Sequence, residues 1–207
     1  MAMESAEELF ARAAAGCIEA QWEANLQRDA TTATQSTRTD NGLVKVPLKP
    51  LRERNIHRNV FRSMSLVDER LRECFRELVA GKRPWPLYLH GPAGTGKTRA
   101  ILALCDFVAD ASYTTLQEAC DTVMAGGQRA WKAPLFGNVP ALFAMDEIGT
   151  RFKVGDLEFS TILEAWEHRE RRALGVAIWC SNLTPGDLNR TYDNRVASRL
   201  LSGTVFL

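Results

Sequence analysis

Leu87-Tyr88-Leu89-His90-Gly91-Pro92-Ala93-Gly94-Thr95-Gly96-Lys97-Thr98 reads as a short apolar strand that runs into a glycine-rich loop and ends on Lys-Thr. The glycines permit backbone conformations that a Cβ would forbid, so successive N–H groups can turn inward around a phosphate. Arg99 to Val108 continues with helical character, which sets the positive end of a helix dipole against that anion. In this pattern Lys97 reaches the β- and γ-phosphates as a point charge, and the Thr98 hydroxyl holds Mg²⁺. A glycine-rich surface turn with an incidental lysine requires neither flank. The strand before and the helix after therefore favour a phosphate-binding loop, Gly91 to Thr98, with ATP as the expected ligand.

About 50 residues downstream, Ala141-Leu142-Phe143-Ala144-Met145 leads into Asp146-Glu147. A buried parallel strand delivers both carboxylates at its C-terminal end, the edge where α/β sheets bind ligands. Asp146 is expected to hold Mg²⁺ through water, and Glu147 to orient and polarise the attacking water. Apolar strands ending in acids are common, but after a phosphate loop this one completes a nucleotide site. A kinase must keep water from the transferred phosphoryl group, whereas a Glu beside the metal-binding Asp suits hydrolysis, so ATPase is preferred over kinase. Leu174 to Cys180 is another apolar strand, ending at Ser181-Asn182. If it lies between the other two in the sheet, Asn182 can sense the γ-phosphate or its water.

With 207 residues the chain has room for one ordinary domain and an appendage. Its 45% apolar and 25% charged residues are globular proportions, and a net charge of +1 excludes a uniformly basic nucleic-acid coat. Cys17, Cys74, Cys105, Cys120 and Cys180 are odd in number and lack Cys-x-x-Cys spacing, which argues against a disulfide framework and a zinc site. A reducing, cytoplasmic setting is expected. The acidic N-terminus and the absence of any apolar run near the ~20 residues of a membrane span point to no membrane partner.

Ser5-Ala6-Glu7-Glu8 has the form of a capping box, and Phe10, Ala14, Ile18, Trp22 and Leu26 follow at four-residue spacing. This striped helix packs either on the chain's own core or on a partner. Asp29 to Gly42 is rich in threonine and small polar residues with no apolar period, as in a linker, and so favours the docking alternative. Between Leu43 and Met64, six basic residues (Lys45, Lys49, Arg52, Arg54, Arg58 and Arg62) face one acid, Glu53, a local excess of +5. That window either contacts DNA phosphates or is a solvated approach segment. Ser65-Leu66-Val67-Asp68 has the form of a second capping box, opening a core helix that stops at Gly81. Asp156 to Arg172 reads as a charged helix with Phe159, Ile162, Leu163 and Trp166 facing inward, a surface His168, and arginines at its dipole-favoured end. Asn194 to Leu201 carries Arg195 and Arg199 one turn apart.

His90 to Thr98, Asp146-Glu147-Ile148-Gly149, Cys180-Ser181-Asn182-Leu183 and Asn194-Arg195-Val196-Ala197-Ser198-Arg199-Leu200, in this order, resemble the AAA+ ATPases. Within them the chain is similar to the DnaC-type helicase loaders and the related IstB-type transposition ATPases, over residues 65–207. The resemblance implies an α/β fold, a three-layer P-loop sandwich with a mostly parallel sheet. It also implies an ATP-controlled homo-oligomer in which Asn182 is a first sensor and Arg199, with Arg195 as alternative, inserts into a neighbour's site. Such proteins bind single-stranded DNA and grip a replicative helicase through an N-terminal region. The organisation so implied is a partner-docking helix over 1–28, a flexible linker over 29–42, a basic segment over 43–64 and the ATPase domain over 65–207. The chain departs in having Glu rather than Asp after Asp146, no N-terminal zinc-binding cysteine cluster, and no lid expected beyond Leu207. Alternatives within this reading are a transposition helper that binds duplex DNA and a transposase, and an ATP-clamped binding module with negligible turnover.

Overall fold

The computed structural model describes residues 64–107, 111–126, 142–150, 155–170 and 176–207. The expected N-terminal helix, the linker and all but the last residue of the basic segment lie outside them. Strands β1 (Leu87–His90), β2 (Ala111–Thr115), β3 (Leu142–Ile148), β4 (Ala177–Ser181) and β5 (Thr204–Phe206) form one sheet in the order β2-β3-β4-β1-β5. Every pairing is parallel. The strand that ends in Ser181 therefore lies between the loop-bearing and acid-bearing strands, the condition set for Asn182.

Parallel strands covered on both faces read as continuous apolar runs, and alternate residues serve opposite layers. Leu87, Leu89, Leu142, Ala144, Ile178 and Cys180 face one core, beside α1 (Glu69–Val79) and α2 (Lys97–Phe107). Tyr88, Phe143, Met145, Ala177 and Trp179 face the other, beside α3 (Leu116–Gly126), α4 (Asp156–Glu170), α5 (Pro185–Thr191) and α6 (Asn194–Leu200). The result is the three-layer α/β sandwich expected from the sequence. No described helix is long and apolar enough to cross a membrane.

Three local expectations are corrected. Helix α1 is capped by Asp68 rather than Ser65, because Asp68 Oδ1 accepts the N–H groups of Arg70 (3.0 Å) and Leu71 (3.3 Å). Met64–Leu66 forms a separate 3₁₀ turn, closed by Val67 N–H donating to Met64 O. Arg169 is not a solvated helix-end cation. It is buried, with one guanidinium nitrogen donating to Val176 O at 2.6 Å and its carbon 5.6 Å from the Phe143 ring centre. Its neighbour His168, expected at the surface, is only partly exposed.

Candidate nucleotide site

The C-terminal ends of β1, β3 and β4 converge on one edge of the sheet. After His90 the chain enters the loop, where Gly94 (φ 84°) and Gly96 (φ 89°) occupy backbone space that a side chain rarely adopts. A Cβ built at either would meet nothing within 4 Å, so the requirement there is conformational rather than steric. Lys97 opens α2 and folds back across the loop mouth. Its Nζ donates to Gly91 O (2.7 Å), Pro92 O (2.8 Å) and Asn182 Oδ1 (2.9 Å). An ammonium has three donors, and these acceptors tie the loop directly to the end of β4.

The next residue, Thr98, donates its hydroxyl to Asp146 Oδ2 at 2.7 Å, joining α2 to the end of β3. Asp146 is 3% exposed. Its other oxygen, Oδ1, accepts the Glu147 N–H at 2.7 Å. Beyond Met145 the β3–β4 register slips: Met145 pairs with Trp179 but Ile148 with Ser181, three steps along β3 against two along β4. The extra residue makes a bulge, and Glu147 takes φ 61° within it, the one non-glycine with positive φ among the described residues. Ser181 fastens this kink to β4, donating its hydroxyl to Ile148 O at 2.6 Å and accepting the Leu183 N–H at 3.0 Å.

A further side chain, not identified by sequence reasoning, enters from β2. The Tyr113 hydroxyl donates to Asp146 Oδ2 at 3.1 Å. Burial, and then the Asp146 charge, push its acidity well below that of an ordinary phenol, so it stays protonated and donates. The same two causes push the Cys180 thiol up beside it. Burial foremost, with the Lys97 ammonium second, lowers His90 below the usual imidazole value. Identifying Tyr113 from the sequence would have required knowing that β2 adjoins β3, which local pattern does not state.

The structure brings together Gly91, Pro92, Thr95, Lys97, Thr98, Asp146, Glu147 and Asn182, with exposed Ala93 in the same loop. Arg195 and Arg199 sit on α6. Arg195 is exposed, while Arg199 lies with its guanidinium carbon 5.0 Å from the Trp166 ring centre and donates back to Arg195 O at 3.2 Å.

No protein-family model and no curated protein matches the sequence. Solved structures do. The AMPPCP-bound DnaA from Aquifex aeolicus is similar over 68% of this chain, with a TM-score of 0.55 and 16% identity; the chain spans about half of that protein, 47%. The DnaC helicase loader matches over 71% of this chain and 94% of its own (TM-score 0.54, 14% identity), and DnaI over 68% and 83% (0.50, 20%). At such identities the likeness is one of fold: an α/β sandwich around the five-stranded parallel sheet of order β2-β3-β4-β1-β5.

Proposed function

We propose that the chain is a Mg²⁺-dependent ATPase of helicase-loader type, acting on single-stranded DNA in replication. The observation that carries the reading is the pair of side-chain bridges from the loop: Lys97 to Asn182 on β4, and Thr98 to Asp146 on β3. An incidental glycine turn has no reason to engage both strand ends.

The residues suit the ligand. Open space over Gly94 and Gly96 leaves a cradle lined by backbone, with a helix N-terminus behind it. Mg²⁺ is commonly held by one or two protein oxygens together with nucleotide phosphates, and Thr98 and Asp146 offer such a pair. Bound ATP with Mg²⁺ supplies a transferable phosphoryl group whose charge is partly neutralised. Toward it, Lys97 would exchange its carbonyl acceptors for phosphate oxygens. Asn182, released from Lys97, would orient the attacking water, and Glu147 would accept its proton.

Arg195 or Arg199 would complete a neighbouring subunit's site. Exposure favours Arg195, since Arg199 is engaged by Trp166. The basic window 43–64 would contact DNA phosphates, and the striped segment 1–28 would dock a replicative helicase, in the cytoplasm.

Steady-state ATP hydrolysis across protein concentration, with and without single-stranded DNA, tests this. The specific rate rises with both and falls in Lys97→Ala and in the variant of the trans-acting arginine. A flat, near-zero rate despite tight ATP binding overturns hydrolysis and leaves a nucleotide clamp.

A further inference from the structure

We propose that Tyr113 is a positioning residue for the divalent cation that accompanies the nucleotide, its hydroxyl fixing from β2 the same Asp146 carboxylate that Thr98 fixes from the loop. This rests on the reading of the site as one for Mg²⁺ and ATP.

Besides the Cys180 thiol, three oxygen and nitrogen donors from three places meet on Asp146. Thr98 and Tyr113 share Oδ2, at 2.7 and 3.1 Å, and the Glu147 N–H takes Oδ1 at 2.7 Å. Two of them come with the site itself: Thr98 from the loop sequence, and the Glu147 N–H from the adjacent peptide. The third must be supplied by another strand. In the β2–β3 register Tyr113 stands opposite Ala144, so Asp146 is its diagonal neighbour, two residues along on the same face. A long aromatic side chain spans that diagonal.

The ring of Tyr113 packs against the core shared with α1 and α2, which aims the hydroxyl. Packing alone would be served by phenylalanine, whereas a buried hydroxyl is unfavourable unless it finds an acceptor. Asp146 is the acceptor it finds. Without that donor the carboxylate keeps Thr98, its neighbouring peptide and the buried Cys180 thiol of β4, and loses its tie to β2. Partners that orient a metal-binding group typically change metal affinity by about 10–100-fold when removed.

The test uses the full chain and a fluorescent, non-hydrolysable ATP analogue, titrated in EDTA and then with increasing Mg²⁺. For Tyr113→Phe the affinity in EDTA equals that of the wild type, while the Mg²⁺ concentration giving half-maximal enhancement rises about tenfold. Thermal unfolding of the nucleotide-free variant checks that the ring still packs. An unchanged Mg²⁺ requirement overturns the inference alone, as does an equal loss of affinity with and without Mg²⁺, which marks a purely structural hydroxyl. Wild-type binding that ignores Mg²⁺ overturns it as well. No nucleotide binding by the wild type overturns the nucleotide reading itself and this inference with it.

Discussion

The exits of β1 and β3 solve opposite problems with the same backbone region. After β1 the chain takes left-handed φ values at glycines, Gly94 and Gly96, where nothing but backbone is wanted near a ligand. Inside the end of β3, ahead of Gly149 (φ 76°), it also takes one at Glu147, where the proposed base needs a side chain. A non-glycine residue held there costs about 1–3 kcal/mol, and such strain persists only where the surroundings over-determine it. Ser181 and the Asp146 carboxylate, bonded on either side of Glu147, are those surroundings. The loop is shaped by what its residues lack, the acidic kink by what its neighbours impose.

The strongest way to break the comparison is at its charged centres. Lys97→Ala removes the ammonium that spans loop and β4, and turnover falls about 10³-fold, read as phosphate release. Glu147→Gln keeps the kink and removes the proposed base, giving about a 100-fold loss of turnover with nucleotide affinity retained. Equal loss of affinity in this variant would show that the kink, not the carboxylate, was altered. Backbone variants sharpen the contrast. Gly96→Ala, with no neighbour to clash with, destabilises by about 1–2 kcal/mol, whereas Glu147→Gly stabilises by about 1 kcal/mol while inactivating, both read by chemical denaturation.

The smallest effect concerns the last residue of β1. Because the folded pKa of His90 is lowered, the unfolded chain binds the additional proton. The associated stability is complete above the unfolded value, about 6.5, and is lost as pH falls through the folded one. The melting temperature should therefore drop more steeply from pH 7 to 5 in the wild type than in His90→Gln.

Much of this site was legible because its chemistry is local. The loop from Gly91 to Thr98 and the Asp146-Glu147 pair are contiguous, and their strands are apolar runs that can only be buried. Asn182 depended on strand order, which the sequence posed as a condition and the sheet met. What stayed hidden is non-local: the reach of Tyr113 across a strand pair, the slip that bends Glu147, and the stacking of Arg199 on Trp166. Arg169 misled for a related reason, since helix-end position suggests solvent while the Phe143 ring and Val176 carbonyl that receive it come from elsewhere in the fold. Asp68 outcompeted Ser65 as a cap because its side chain lies where two free N–H groups of the first turn point.

The interior place of β4 also limits how a nucleotide-driven movement would leave the proposed site. Bonded to β1 on one flank and β3 on the other, it cannot slide without breaking a ladder. Under the proposed function the sheet would therefore serve as a fulcrum rather than a piston. A tug on Asn182 would then leave along the chain that follows it, where the Leu183 carbonyl accepts the Tyr88 hydroxyl at 2.9 Å, through α5 and into the arginine-bearing α6. That stretch would be the lever arm, with the single Leu183 carbonyl as its first joint.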